Sequence, residues 1–470
     1  MEIGNLLGLT VLVLQESLFT GSIPSSIGRL QNLSALLLGK NKFSGPISSS
    51  LSNITSLITL SLDNNRLQGN IPANLGKLRN LQELDLSYNN LRGVIPDQVF
   101  TLPSLSISLD LSENSFSGPL PRQVGKLKHI GKLFLMNNKL TGKIPSELGD
   151  CESLEYLVLS GNHLEGTIPV SFSNLKGLLG LDLSRNNLSG QIPNYMGELF
   201  FQSLNLSYND FEGVVPKEGV FRNVSAFSVI ENNKLCGGIS ELLLPVCIIS
   251  ASKKHGNSSP LKVIIPCLVS MLKVGVACSS DLPKERMDIK DVIRELITAK
   301  EVFLGVGIHR ERHNETEAEG EGKIPASLSA CSQLRRILLH NNKLVGKISL
   351  ELGDLSKLST FATNGNDLSG EIPASFGNLS SLQYLSVSRN RLEGSLPDLG
   401  CLRNLIFLTV GANKFTGIVP PSLYNLSSLE IFTMEVNRLH GSLPPDLGRT
   451  LPNLQSFSVA NNVTPPKLAS

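Results

Sequence analysis

The sequence predicts an α/β solenoid: a right-handed superhelix with a parallel β-sheet along its concave face and 3-10 or irregular structure on its convex side. One observation is a motif, L-x-x-L-x-L-x-x-N-x-L-x-G-x-I-P, that recurs along most of the 470 residues. Another is the composition, with 41 Gly, 25 Pro, 5% aromatic residues and no Trp, which suits a core of repeated leucines between turns. Since one such unit cannot bury its own leucines, neighbouring units must stack.

Each position of the motif has a physical reason, which the segment LQELDLSYNNLRGVIP (81–96) illustrates. The alternation at 84–86 predicts a short strand with one inward and one outward face. Asn89 is expected to turn inward and bond to the backbone of adjacent coils. Gly93 suits a backbone position with positive φ, and Pro96 begins the return segment, where a missing N–H costs least.

The repeats fall into two blocks with one period. The asparagine column of the first block begins with Ser17 and continues at Asn41, Asn65, Asn89, Asn114, Asn138, Asn162, Asn186 and Asn209. The second block has this column at Asn342, Asn366, Asn390, Asn413, Asn437 and Asn462. We therefore predict a solenoid of about nine repeats over 1–216 and a second of about six over 322–470. The sequence does not say whether the two blocks pack together.

The segments GNIPANLGKL (69–78), GKIPSELGDC (142–151) and GEIPASFGNL (370–379) give the chain its family likeness. The chain resembles the plant-specific leucine-rich repeat and the ectodomains of plant leucine-rich-repeat receptor-like kinases, nearest the subfamily with receptors for bacterial patterns. The resemblance covers roughly 1–305 and 322–464. It implies recognition of a peptide or protein ligand on the concave face, with a possible co-receptor, in defence or other signalling at the plasma membrane or its extracellular side.

The stretch NNKLCGGISELLLPVC (232–247) looks like the end of a solenoid. We predict a C-terminal cap over 217–250, because the last coil exposes leucines and needs a different, polar-faced unit. In the family such a cap holds a cysteine pair, which Cys236 and Cys247 match. The resemblance therefore implies a disulfide between them, and two unpaired thiols are the alternative.

The residues after the cap interrupt the repeat pattern. We predict a linker with a truncated transmembrane-like segment at 251–272, where Lys273 ends an apolar run too short for a span of about 20 residues. A short buried or interfacial helix is the favoured interpretation of that run. Residues 273–305 resemble the last helices of the family's kinase domain, and 306–321 are charged, aperiodic and predicted to be disordered. The family resemblance implies membrane association, but the truncated segment at 251–272 is too short to supply a complete span. The N-terminus has no basic start or cleavage site of a signal peptide, so the sequence does not fix the localisation.

Catalysis is not predicted. The chain has no G-x-G-x-x-G loop, strand lysine, D-F-G or H-R-D, so it lacks the groups that phosphoryl transfer by a protein kinase requires. We expect no cofactor, no metal site and, with a net charge of +2, no nucleic-acid partner. The alternative is that the locus encodes an active membrane receptor serine/threonine kinase and that this chain is an incomplete or fused gene model. The order of segments along the chain suggests the end of one receptor followed by an early part of another, or one receptor whose segments are permuted.

Candidate ligand contacts are the strand-face residues that depart from the small polar pattern typical of the repeat. They are Lys132, Phe134, Met136, Tyr156, Val158, Arg336, His340 and Phe407. Isolated apolar residues are also normal on protein surfaces, so the cluster at 132–158 is the strongest of these candidates. The glycosylation candidates, each in an N-x-[ST] sequence, are Asn32, Asn53, Asn187, Asn223, Asn378 and Asn425. Asn205 and Asn462 share this sequence motif, but Asn205 falls in a strand where a glycan would block the concave face.

Overall fold

A computed structural model describes residues 3–247 and 322–462, together with the backbone of 467–468. The predicted segments 251–272, 273–305 and 306–321 lie outside the described residues. Among the residues that are described, no helix has both the length and the apolar character needed to cross a bilayer. The predicted fold class is confirmed: stacked coils, each with a short parallel strand, form a leucine-rich-repeat solenoid.

The main sheet, which we call the concave sheet, contains 16 strands, one from each coil. In chain order the strands are Val11–Val13, Ala35–Leu37, Thr59–Ser61, Glu83–Asp85, Ser108–Asp110, Lys132–Phe134, Tyr156–Val158, Gly180–Asp182, Ser203–Asn205, Phe227–Ser228, Arg336–Leu338, Thr360–Ala362, Tyr384–Ser386, Phe407–Thr409, Ile431–Thr433 and Ser456–Ser458. Their middle residues are buried, as in Leu84 between Glu83 and Asp85. The period-two alternation of the motif therefore sets which side chains reach the solvent.

A second strand follows the asparagine turn in most coils. Ten of these strands form one sheet: Thr20–Ser22, Lys42–Gly45, Arg66–Gly69, Asn90–Gly93, Ser115–Pro119, Lys139–Lys143, His163–Gly166, Asn187–Gln191, Asp210–Val215 and Lys234–Gly237. Five form another: Val345–Lys347, Asp367–Gly370, Arg391–Ser395, Lys414–Ile418 and Arg438–His440. Ser442–Leu443 and Lys467–Leu468 pair separately. We call these strands collectively the lateral sheets.

Short 3-10 helices occupy the convex side. They are Ile3–Asn5, Ser25–Arg29, Ser49–Asn53, Ala73–Lys77, Asp97–Thr101, Arg122–Lys126, Ser146–Asp150, Val170–Asn174, Asn194–Glu198, Gly219–Arg222, Ser240–Leu242, Ala326–Ala330, Leu350–Asp354, Ala374–Asn378 and Pro421–Asn425, and the coil before Ser456 has a short α-helix, Leu447–Thr450. Proline precedes most of them, as Pro96 precedes Asp97–Thr101 with φ of −63°. Its fixed φ prepares the helix start, and its missing N–H is one that the first turn leaves unpaired anyway.

The order of coils in space differs from their order in the chain. Strand Ser456–Ser458, from the C-terminal block (322–462), pairs in parallel with strand Val11–Val13, from the N-terminal block (3–247). The concave sheet thus runs from Arg336–Leu338 through Ser456–Ser458, crosses to Val11–Val13 and ends at Phe227–Ser228. We call the contact between strands 456–458 and 11–13 the seam. The two blocks therefore stack into one solenoid with the C-terminal block first.

Buried asparagines link successive coils. Nδ2 of Asn89 donates to the carbonyls of Leu62, Leu86 and Ser87 at 2.9, 3.2 and 3.1 Å, and its Oδ1 accepts from the Leu67 N–H at 2.9 Å. The expected backbone bonding of Asn89 is thereby confirmed. Gly93 has φ of +82°, as its position in the motif requires. Equivalent asparagines repeat this pattern through both blocks, and one continuous apolar core runs through them.

The described part of the N-terminal block ends at the last strand of each of its two sheets. Strand Phe227–Ser228 is the last of the concave sheet, and strand Lys234–Gly237 is the last of its lateral sheet. A disulfide joins Cys236 to Cys247 across the final turn. Because the last coil has a neighbour on one side only, this link ties down the chain where stacking contacts are fewest.

Candidate functional site

The solvent side of the concave sheet presents the first and third residue of each strand, together with the residue two positions after the strand. Many of these positions hold Ser, Thr, Gly or Asp. Two groups of half-buried apolar side chains interrupt this small polar surface. Apolar side chains that cluster on an otherwise polar face are the feature that most often marks a contact surface.

The first group, which we call the N-block patch, contains the strongest candidates from the sequence. Lys132 pairs in register with Tyr156, and Phe134 pairs with Val158, so the four side chains occupy two adjacent strands. Phe134, Tyr156 and Val158 are half-buried and Lys132 is exposed. Met136, also half-buried, lies two residues beyond Phe134. The structure therefore brings these five predicted residues together on one part of the sheet.

The second group, which we call the seam patch, is built by both blocks. Tyr384, Phe407 and Ile431 occupy the first position of three successive strands, and the Tyr384 and Phe407 rings stack at 4.0 Å between centroids and 9° between planes. Beyond Ser456, the same row continues with Val11. Its neighbours Val13 and Leu37 add to the patch from the N-terminal block.

Sequence reasoning identified Phe407 but missed the rest of the seam patch. Val11, Tyr384 and Ile431 are strand-face residues that depart from the repeat pattern, so each carries the same signal as Phe407. Their significance comes from adjacency, since Ile431 and Val11 lie two strands apart although they stand at opposite ends of the chain. Nothing in the repeat pattern reports that adjacency.

An acidic stretch separates the two patches. Asp85 and Asp110 pair in register on neighbouring strands, with Glu83 at the first position of the same strand as Asp85. Burial raises the pKa of the Asp85 carboxyl to about 6. The hydrogen bonds that this carboxyl accepts from Oγ and N–H of Ser87, at 2.7 and 2.9 Å, lower its pKa and so oppose the effect of burial. Burial likewise raises the pKa of Asp110. These carboxyls are poorly hydrated, so a cationic group of a ligand would find them favourable neighbours.

Arg336 and His340 lie far from the other candidates. Both are exposed and belong to the first coil of the solenoid, at the end of the concave sheet. Eleven strand steps of about 4.8 Å separate Arg336 from Lys132, roughly 50 Å along the sheet. The buried Oδ1 of Asn342 in this coil has no hydrogen-bond partner, because no described coil precedes it to supply an N–H. Arg336 and His340 thus mark a separate end surface.

The sequence motifs for glycosylation divide into two classes. Asn32, Asn53, Asn187, Asn223, Asn378 and Asn425 are all exposed. Asn205 is half-buried in the concave sheet, and its Oδ1 accepts from Ser207 Oγ at 2.6 Å. Asn462 is 6% exposed, and its amide makes three bonds to carbonyls. A glycan on Asn462 would require breaking the bonds that hold its coil.

Among the described residues, no group of three or more His, Cys, Asp or Glu side chains is arranged to hold a metal ion. Three cysteines outside the disulfide are described. Cys151 is buried and its Sγ donates to the Val124 carbonyl at 3.3 Å, while Cys331 is half-buried and Cys401 is exposed. Burial raises the pKa of the Cys151 thiol to about 12, so it is a packing residue and not a nucleophile.

Comparison with known proteins supports the repeat assignment. The leucine rich repeat family matches residues 55–116, 153–175, 177–199 and 381–402. Over 65 residues the chain is 45% identical to a probable LRR receptor-like serine/threonine-protein kinase of Arabidopsis thaliana. The matched segment is 13% of this chain and 6% of that protein. Over 57 residues it is 48% identical to a putative receptor-like protein kinase of the same plant, and this segment is 12% of this chain and 5% of that protein. The chain thus matches about a twentieth of the length of these curated relatives.

Solved structures with similar coils include plant receptors. The plant peptide hormone receptor RGFR1 in complex with RGF2 shares 29% identity at a TM-score of 0.47, over 98% of this chain and 60% of that one. The LRR ectodomain of the membrane receptor kinase GASSHO1/SCHENGEN3 from Arabidopsis thaliana, in complex with CASPARIAN STRIP INTEGRITY FACTOR 2, shares 30% identity at a TM-score of 0.47. The match covers 98% of this chain and 54% of that chain. The chain contains leucine-rich repeats and is homologous to plant leucine-rich-repeat receptor-like kinases.

Proposed function

We propose that this chain is a non-catalytic ligand-recognition region that binds an extended peptide or a protein along its concave sheet. The observation that carries the proposal is the pair of apolar patches on a solvent-facing sheet that is otherwise small and polar. A partly exposed aromatic stack such as Tyr384 on Phe407 offers a large apolar area at little entropic cost. The relatives' peptide complexes point in the same direction, and binding by this chain remains our proposal.

An extended ligand fits the layout better than a compact one. The centres of the seam patch and the N-block patch lie several strands apart, with Asp85 and Asp110 between them. A peptide lying across the strands can place apolar side chains on both patches and a Lys or Arg over the acidic stretch. Within the N-block patch, Phe134, Tyr156 and Val158 would supply apolar contact, and Lys132 would orient an acidic group of the ligand.

Further features of the proposal follow the receptor resemblance. Arg336 and His340 would contact a second partner, such as a co-receptor or another part of the ligand, because they lie too far from the patches to join them. The disulfide and six exposed N-x-[ST] asparagines support exposure to the secretory pathway, and thus an extracellular or plasma-membrane location with N-linked glycans. A role in defence signalling rests on the subfamily resemblance alone.

The proposal is tested with a phage-displayed library of random twelve-residue peptides selected on the purified, immobilised chain. We expect enriched peptides whose affinity falls tenfold or more in Phe407→Ser or in the double variant Phe134→Ser/Tyr156→Ser, because each variant removes central apolar contacts. Ser203→Ala, at an exposed position of the same sheet, is the matched control and should leave affinity unchanged. Enriched peptides that bind both patch variants as well as the parent chain would contradict binding on this face.

A second candidate function has its own observation, the resemblance of 273–305 to the end of a kinase domain. On this alternative the locus encodes an active membrane receptor serine/threonine kinase, and the chain is an incomplete or fused gene model. Sequencing full-length transcripts decides it. A transcript that inserts the missing kinase segment between codons 272 and 273 would support the alternative, and one that reads continuously through 265–325 would reject it.

A further inference from the structure

We infer that the seam is a self-sufficient recognition surface, so that the C-terminal block of one chain can pair with the N-terminal block of a second copy. The partner committed to here is another molecule of this chain, which carries both complementary surfaces. This inference goes beyond ligand binding and does not depend on it. It rests on three properties of the seam: its hydrogen bonds, its buried side chains and its topology.

The backbone bonds of the seam repeat those of an ordinary coil contact. At the seam, the N–H groups of Thr10 and Val11 donate to the Gln455 carbonyl at 2.7 and 3.1 Å. One coil further on, the N–H groups of Ser34 and Ala35 donate to the Thr10 carbonyl at 2.8 and 3.2 Å. Thr10 Oγ1 adds a bond of 3.0 Å to the Gln455 carbonyl. The seam therefore repeats the backbone bonds that lead into the concave strands of coils within one block.

The polar ladder also crosses the seam. Ser17 stands at the asparagine position of its coil, and its Oγ donates to the Val459 carbonyl of the preceding coil at 3.2 Å. The N–H of Val459 in turn donates to the Val13 carbonyl, and the N–H of Asn461 donates to the Gln15 carbonyl, both at 3.1 Å. Opening the seam would leave the N–H groups of Val459 and Asn461 without protein partners, whereas Ser17 Oγ would keep its bond of 2.8 Å to the Gln15 carbonyl of its own coil.

The apolar faces on the two sides match. Leu12 pairs in register with Phe457, and both are 0% exposed. The helices Ile3–Asn5 and Leu447–Thr450 contact each other on the convex side. Leu9 and Leu454, which lead into the two strands, are also 0% exposed. Each block alone would expose these apolar side chains to water, so burying them favours association of the two blocks.

The topology makes the seam exchangeable. It joins residues separated by more than 440 positions, whereas the last described residues of the N-terminal block and the first of the C-terminal block belong to opposite ends of the solenoid. The bonds of the seam join residues of the two described blocks, so the C-terminal block of a second copy offers the same bonding partners. Reciprocal exchange closes a dimer.

The test uses the full chain with a protease recognition sequence inserted after Gly305. After cleavage, we expect the two fragments to co-elute in size-exclusion chromatography and to separate only in denaturant. Phe457→Ala should weaken their association at least tenfold. The matched control, Phe361→Ala, truncates an equally buried phenylalanine four strands from the seam and should change it less than threefold.

Exchange is measured on the uncleaved chain, which also covers the case in which the insertion prevents folding. Two preparations with different fluorophores are mixed at high concentration and diluted, and we expect energy transfer together with a species of twice the monomer mass. Phe457→Ala should speed the appearance of energy transfer, because the seam within one chain must open before it can exchange, and Phe361→Ala should leave this rate unchanged. Fragments that separate while circular dichroism shows both folded, equal effects of the two variants, or the absence of exchange would overturn the inference.

Discussion

The seam and the coil contact beside it differ in covalent continuity and little else. Strand Val11–Val13 pairs with Ser456–Ser458 on one side and with Ala35–Leu37 on the other, in the same parallel register. The Ala35 side belongs to the same continuous block, whereas the Ser456 side comes from the opposite end of the chain. Coil stacking in this molecule therefore depends on matched surfaces and not on the order in which the chain supplies them.

One difference is visible on the lateral side. The lateral sheet of the N-terminal block starts at Thr20–Ser22, and that of the C-terminal block ends at Arg438–His440, with Ser442–Leu443 and Lys467–Leu468 paired separately between them. The lateral strands are thus interrupted where the concave sheet is continuous. The concave sheet and the leucine core close the seam, and the lateral strands contribute less to it.

The largest effect should come from a charge in the seam. Leu12→Asp places a carboxylate at a position that is 0% exposed, at a cost of about 4 kcal/mol or more. Because the seam is lost but most of each block remains, calorimetry should show the unfolding transition split in two. Leu109→Asp, deep inside the N-terminal block, should instead remove much of that block's circular dichroism signal. A single unsplit transition for Leu12→Asp would contradict the comparison.

The asparagine ladder offers the next test. Asn162→Ala removes three bonds to the carbonyls of Leu135, Leu159 and Ser160 and one from the Leu140 N–H. We expect a loss of about 3 kcal/mol in free energy of unfolding, since buried backbone groups are left unpaired. Ser17→Ala at the seam removes a single hydroxyl and should cost about 1 kcal/mol. Denaturant titration measures both, and a larger loss for Ser17→Ala would mean that the seam bears more of the stability than its bonds suggest.

The capped end can be compared with the seam by removing the disulfide. The double variant Cys236→Ser/Cys247→Ser opens a link across 11 residues and should cost about 2 kcal/mol, confined to the last coils. Hydrogen exchange should quicken around strand Lys234–Gly237 while the amides of Val11 and Leu12 stay protected. Faster exchange at both places would show that the cap and the seam unfold together.

The smallest effect, and one of opposite sign, is expected at the acidic stretch. Burial raises the pKa of Asp85 to about 6 in the folded chain, above its unfolded value of about 4. Between these pH values the folded state binds more protons, so its stability falls as the pH rises from about 4 to 6. Asp85→Asn removes this cost and should stabilise the chain at pH 7 by on the order of 1 kcal/mol.

Asp182→Asn is the matched control for this prediction. Asp182 stands at the same repeat position and accepts from the Ser184 N–H at 2.9 Å, but its neighbours in register are Val158 and Asn205, not a carboxylate. Thermal unfolding at pH 4.5 and pH 7 should show a pH-dependent gain for Asp85→Asn that exceeds the change for Asp182→Asn. Equal changes for the two variants at both pH values would contradict the raised pKa of Asp85.

Most of the fold could be predicted, because the period of the repeat fixes which residues face inward. The roles of Asn89, Gly93 and Pro96 followed from the local chemistry of their backbone positions. The clustering of Phe134 and Tyr156 was also accessible, since their coils are consecutive in the chain. The predicted cap, linker and kinase-like boundaries stay predictions, as do the ligand contacts.

The sequence by itself determined the coil: its strand, its asparagine turn, its proline-led return and its buried leucines are local consequences of side-chain type and spacing. Only the tertiary structure decided that the C-terminal block precedes the N-terminal block, and hence that Phe407 and Val11 contribute to one patch. The physical reason is that every coil presents nearly the same pair of faces to its neighbours. A repeat therefore specifies that coils stack, while the pairing of Leu12 with Phe457 depends on two surfaces that meet only after folding.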